Sequence, residues 1–244
     1  MIRYALIAVA AVFAAGCNFS PSQTPENTVG GANVVSSAKA PIAVAATSLS
    51  LDWGKKAQAG QVAIADVITY GGSKTTITAP AGWQMIRDDS TQTTRQSLYR
   101  HAIQANDSST ATWKFSGPVD TQGAILLLDN VVAVAPVDMT SGNTGTGGTV
   151  TAKSIVTTAD GDLVLSFYAT DFHLPGLLGP SPQMPANTET LINQAAAADE
   201  FWILATYQSQ NGAVEDQVCS AAQIFNWAAA QVAIKRGAAT PSPN

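Results

Sequence analysis

The chain has 244 residues and carries 12 Lys and Arg against 17 Asp and Glu, a formal net charge of −5; only 12% of it is charged and 46% is hydrophobic. No run of basic side chains occurs anywhere, which excludes the clustered cations that a phosphate backbone demands, so no nucleic-acid partner is expected. With so few charges, the polar surface must be built from Thr, Ser, Gln and Asn, a composition that suits an exported β-protein with ample material for a core.

In chain order, Arg3 gives the start its positive charge, Ala5 to Ala15 form an apolar run, and polar Asn18, Ser20, Pro21 and Ser22 follow at once. A membrane span needs about 20 apolar residues, so residues 1–16 read as a removable export signal. The segment Ala14-Ala15-Gly16-Cys17 resembles the lipobox of bacterial lipoproteins, although that family usually has Leu where this chain has Ala14. The resemblance implies acyl chains on Cys17, hence a membrane partner through the lipid, and an anchored location in the cell envelope. Asn18 is not the usual Asp retention signal, so the resemblance implies the outer membrane where the host has two membranes. More than one acyl chain makes such attachment persistent. Cys219 is then the only other cysteine, best accommodated in a core.

Residues 17–40, rich in Ser, Pro, Gly, Asn and Thr, read as a lipidated start and flexible tether. Short runs of Val, Ile, Thr and aromatics then recur between turn signals, which predicts an all-β domain over 41–237, with a frayed tail at 238–244. The predicted strands are 62–70, 83–87, 96–103, 111–115, 123–128, 163–170, 201–208 and 231–235. Asp160-Gly161 and Asn211-Gly212 suit tight hairpins, and Ile125-Leu126-Leu127-Leu128, apolar on both faces, suits a central strand. The expected fold is a two-sheet, jelly-roll-like β-sandwich with at most one or two short helices. Asn193–Glu200, with four consecutive alanines, and the Ala-rich Ser220–Ala230 are the helical alternatives.

Thr-, Ser-, Asn- and Gly-rich Asp138–Val150 reads as a long connection between candidate halves 60–137 and 151–236. Gly60–Ile64 is echoed by Gly161–Leu165, Ala79–Gly82 by Met184–Asn187, and Ser97–Tyr99 by Ala205–Tyr207. Chance similarity in an Ala-, Thr- and Gly-rich chain accounts for these echoes equally well. Ala79-Pro80-Ala81-Gly82-Trp83, followed by a strand carrying Leu98-Tyr99, is similar to jelly-roll-like modules of secreted bacterial and phage tail proteins. That resemblance implies a binding or display module and carries no site residues with it.

Chemistry-bearing residues are sparse. The two histidines are His101 and His173, and Asp171-Phe172-His173 offers at most two ligands on one strand face. No Gly-x-Ser-x-Gly elbow occurs. The acidic pairs Asp88-Asp89, Asp160-Asp162, Asp199-Glu200 and Glu215-Asp216 read as turn or solvent-facing charge rather than a glycosidase pair. No catalytic residue, metal site or cofactor is therefore assigned. Of the tryptophans 53, 83, 113, 202 and 227, Trp83 stands out beside its Pro-Ala-Gly turn. Trp83, Tyr99 and His101 are the candidate ligand contacts. The expected role is a non-catalytic envelope module that binds a glycan, an envelope polymer or a protein. The alternatives are a carbohydrate hydrolase or lyase using carboxylates, or Tyr and His such as Tyr99 and His101, brought together by the fold, and a structural or assembly protein.

Overall fold

Branched and aromatic side chains pack well on a pleated surface and crowd a helical turn, and the computed structural model follows that preference almost throughout. It describes residues 31–54, 57–171, 183–195, 199–220 and 226–237. Cys17, Phe172-His173 and the tail 238–244 lie outside these residues. In chain order the strands are β1 (Asn33–Asp52), β2 (Val62–Thr69), β3 (Ile77–Thr78), β4 (Gln84–Ser90), β5 (Arg95–Ala102), β6 (Thr110–Asp129), β7 (Val137–Thr146), β8 (Thr149–Ala152), β9 (Ile155–Thr157), β10 (Leu163–Asp171), β11 (Glu189–Ala195), β12 (Asp199–Tyr207), β13 (Gly212–Val214), β14 (Gln217–Ser220) and β15 (Asn226–Ile234). One 3₁₀ turn, Gly72–Lys74, interrupts them. Among the described residues no helix is long and apolar enough to cross a membrane.

The protein is an all-β sandwich. Its first sheet runs β1-β6-β2-β5-β4, with β3 on β6, and its second runs β11-β12-β10-β15-β7; all pairings are antiparallel. Ile64, Leu98 and Leu126 of the first sheet share one apolar cluster with Leu165, Ile203 and Val232 of the second. The sheets therefore bury their inner faces against each other.

Each outer face is covered as well. The far ends of β1 and β6 pair with each other and set Leu49, Leu51 and Trp113 against Ala65, Tyr99 and Leu127. The bend that allows this falls where β1 shifts register repeatedly between Ala40 and Ser48. Ala45 there takes a φ of 49°, and its N–H is caught by the Asp120 carboxylate at 2.7 Å. On the second sheet the ribbons β8–β14 and β9–β13 do the same work. Val150 and Cys219 cover Tyr168 and Trp202, while Ile155 and Val214 cover Val164 and Ala233. Strands β2 and β10 are consequently buried on both faces along their whole length.

The two sheets repeat one plan. Order β1-β6-β2-β5-β4 is matched by β7-β15-β10-β12-β11. The register shift between Met85 and Arg87 recurs between Thr190 and Ile192, and that between Val34 and Ser36 recurs opposite Val232 and Ile234. Gly82 and Asn187 occupy matching turns, both with positive φ, 82° and 61°. Pairing equates Val62 with Leu163 and Ala102 with Tyr207, so the counterpart of Tyr99 is Leu204 and not Tyr207.

Several expectations are corrected. The tether does not extend to Ala40, because Asn33–Ala40 already pairs with β6, and the halves start at Asn33 and Val137. Asp138–Val150 is no loose connection but β7 and the start of β8. The strands predicted at 111–115 and 123–128 are one long β6. Both helical alternatives fall largely on strand: Asn193–Ala195 ends β11, Asp199 and Glu200 open β12, and Asn226–Ala230 is β15, whose alanines are completely buried between neighbours. Tertiary pairing overrides the helix preference of alanine there. Asp160-Gly161 and Asn211-Gly212 carry the chain between layers rather than joining paired strands.

Candidate functional site

Strand alternation decides which β5 side chains can meet: Ser97, Tyr99 and His101 point outward, Leu98 and Arg100 toward the opposite face. Pro80 to Trp83 form a tight turn in which the Trp83 N–H donates to the Pro80 carbonyl at 3.3 Å. Gly82, at the third position with φ of 82°, supplies the backbone such a turn requires. The turn lays Trp83 over His101, ring centroids 5.2 Å apart and planes 22° apart. Trp113 of β6 makes an edge-on contact with Trp83 at 4.9 Å, and Trp53 stands 6.0 Å away.

His101 is pinned on both sides. Its Nδ1 lies 3.0 Å from the Gly82 carbonyl and its Nε2 2.7 Å from Asp107 Oδ2. Asp107 closes the turn after β5, where its carboxylate also accepts the Gln104 N–H at 2.6 Å. Partial burial works against ionisation of Asp107, but the Gln104 N–H and the His101 ring outweigh it and hold the carboxyl below the usual carboxylate range. Trp53, Pro80, Trp83, Asp107, Ser108 and Thr110 are among the residues that line a recess of about 320 Å³. Aromatic walls with a rim of hydroxyls and one carboxylate can stack an apolar ring face while hydrogen-bonding its edges. An imidazole with both nitrogens engaged is poorly placed to move a proton to a ligand.

Of the three sequence candidates, Trp83 and the largely buried His101 come together in the lining of the recess and Tyr99 does not join them. Tyr99 is 1% exposed, packed 5.8 Å from Trp113, and burial pushes its phenol pKa up. It supports the recess from below. Trp53 and Asp107 were missed because they reach the site from the end of β1 and from a turn. Only the turn signal at Asn106-Asp107 could have pointed to one of them.

The other sheet does not repeat the recess: the positions matching Trp83 and His101 are Thr188 and Thr206. The acidic pairs scatter. Asp88 binds Arg95 and Asp89 binds Arg87, Asp216 binds Lys153, and Asp162 and Glu200 are buried rather than solvent-facing. Among the described residues no group of three or more His, Cys, Asp and Glu could hold a metal ion. No family model, curated protein or solved structure matches the chain.

Proposed function

We propose that this protein is an exported, lipid-anchored envelope protein whose first half displays a non-catalytic carbohydrate-binding recess. The observation that carries the reading is the half-buried Trp83, stacked on His101 and met edge-on by Trp113 in the lining of a recess that Trp53 also lines. A flat indole fixed by stacking offers a sugar ring its apolar face at little cost in side-chain entropy. Asp107, Ser108 and Thr110 supply acceptors and hydroxyls for the ring's edges. Tyr99 and His101, the candidate groups for turnover, are buried in the one case and hydrogen-bonded at both ring nitrogens in the other, and the acidic pairs that a glycosidase could use instead are scattered. That favours display over turnover. The anchor rests on the Ala14-Ala15-Gly16-Cys17 pattern.

Calorimetric titration of the purified protein against a panel of soluble oligosaccharides tests the recess: binding of at least one, abolished by Trp83→Ala with the fold intact, is expected. Hydrolysis of any of them would defeat the non-catalytic reading. Metabolic labelling with radioactive palmitate tests the anchor, with label expected on the wild type and absent from Cys17→Ser.

A further inference from the structure

A second hollow, of about 260 Å³, backs onto the aromatic recess across the wall formed by Gly82 and His101. Its distinctive group is Arg100, whose Nη1–H donates to the Val134 carbonyl at 3.0 Å. That bond holds one corner of the guanidinium. Arg87 and Arg95 spend their forks on Asp89 and Asp88, whereas Arg100 enters no ion pair among the described residues. Exposed Gln84 and Gln104 line the hollow too, Gln104 Nε2 donating to the Ala102 carbonyl at 3.0 Å, and Ala133 and the exposed Val134 form its apolar side.

A guanidinium fixed at one corner leaves a planar edge of donors that matches the two oxygens of a carboxylate. Dense phosphate polyanions call for several cations. A lone arginine in a chain of net charge −5 suits instead a partner from which one carboxylate at a time is recognised. Asp107 lies on the aromatic side of the wall, where it repels a carboxylate and leaves Arg100 as the place for it.

We propose that the Arg100 hollow is a carboxylate subsite and that the partner of this protein is an acidic, uronate-bearing polysaccharide. One residue of the glycan lies on the Trp83 side, and the carboxylate of an adjoining residue is held by Arg100. The assignment rests on the reading of the aromatic recess as a sugar platform.

A short oligogalacturonate and its methyl ester present the same rings with and without the charge. Calorimetric titration of the full-length wild type is expected to find the acid bound about tenfold or more tightly than the ester, the range of one charge-assisted contact. The preference should shrink as salt is raised. Arg100→Gln should lose the preference while keeping its affinity for the ester, and Arg100→Lys should retain part of it. Should Arg100→Gln not fold, the acid–ester comparison on the wild type at low and high salt still decides the matter. Equal binding of acid and ester by the wild type, or an undiminished preference in Arg100→Gln, overturns the carboxylate subsite and leaves the platform standing. Binding of neither compound overturns the uronate partner, while the platform itself is overturned only if every member of the oligosaccharide panel also fails to bind.

Discussion

The imidazole of His101 lies under the indole of Trp83 as a stacked plate, 5.2 Å between centroids, and is itself clamped between the Gly82 carbonyl and Asp107. The stack fixes Trp83, and the clamp fixes the stack. His101→Ala removes a ring from a nearly closed site and leaves Asp107 with only the Gln104 N–H among its side-chain bonds. A loss of about 2 to 3 kcal/mol is expected from the cavity and the orphaned partners. His101→Gln keeps a donor for Asp107 but no plate, so it should recover part of the stability and little of the oligosaccharide binding. Urea unfolding and titration, measured on both variants, separate the two contributions.

Gly82 is needed twice over. Its φ of 82° disfavours any side chain, and a Cβ there would sit 2.9 Å from His101 Cε1. Gly82→Ala should cost about 1 to 2 kcal/mol from backbone conformation alone, with more from displacing the imidazole. Gly82→Asn tolerates the left-handed conformation and so isolates the second cost. Asn187, in the matching turn with φ of 61°, provides the control: Asn187→Gly should leave the thermal midpoint within a few degrees of wild type. If both Gly82 variants unfold at the wild-type midpoint with an unchanged near-ultraviolet spectrum, the close approach to His101 has no structural weight.

These two residues also mark what could be read from the chain beforehand. The Pro80-Ala81-Gly82-Trp83 turn is local chemistry and visible as such; β2 and β10 fall on runs of Val, Ile and aromatics that predict strands, and Ile125–Leu128 reads as central. Tyr99 and His101 share a strand face, but alternation cannot say that the outer cover closes completely over Tyr99, 1% exposed, and leaves His101, 9% exposed, just touching the recess. Strand β7 resembled a loop because it is a sheet edge built from small polar residues. Gly145, for example, leaves room for the Trp227 ring, which a Cβ there would meet at 2.5 Å. Alanines 228 to 230 signalled helix, and nothing local revealed that they lie completely buried, Ala230 in the core between the sheets and Ala229 under the outer β8–β14 ribbon. The recess itself depends on Trp53 and Asp107, brought in by long-range pairing that no spacing reports.

Stability should fall as pH rises through the neutral range. Burial pushes the Asp66 carboxyl up to about 8, despite the Gln96 Nε2–H donated to it at 3.0 Å. The unfolded chain releases that proton near pH 4. Between roughly pH 4 and pH 8 the folded protein holds a proton that the unfolded chain has lost, so each unit of rising pH costs up to about 1.4 kcal/mol. Asp162, pushed to about 7 by burial and by Asp138 beside it, acts in the same direction. Asp107 acts oppositely: its depressed pKa contributes stability above about pH 4 that is lost as the pH falls further. Asp66→Asn should therefore flatten the profile and stabilise the protein at pH 7. Its amide can also donate to one of the Gln96 and Gln122 side-chain oxygens, both of which lack a partner. Urea midpoints at about pH 5 and pH 8 that agree for the wild type would rule out a protonated Asp66.

The repeated plan suggests two modules, yet the energetics make them one folding unit. Ile64, Leu98 and Leu126 have no cover except Leu165, Ile203, Val232 and their neighbours on the facing sheet. The outer ribbons protect only the outer faces. Side-chain hydrogen bonds between the two sheets are few among the described residues: Lys39 Nζ donates to the Asn193 carbonyl at 2.8 Å, Arg87 Nη1 to Thr140 Oγ1 at 2.9 Å, and Thr94 Oγ1 to the Asn226 carbonyl at 3.5 Å. Burial of the two inner faces must then dominate the association, at about 25 cal/mol per Å² of apolar surface. A chain cut in the segment between Asn130 and Pro136 would expose a whole apolar sheet face on each piece, which water does not tolerate in a monomer. Each half expressed alone should aggregate, co-expression should recover a soluble pair, and the intact protein should unfold in one calorimetric transition whose van't Hoff and calorimetric enthalpies agree. Two resolved transitions, or a soluble folded half, would mean that the facing sheets contribute far less than their burial implies.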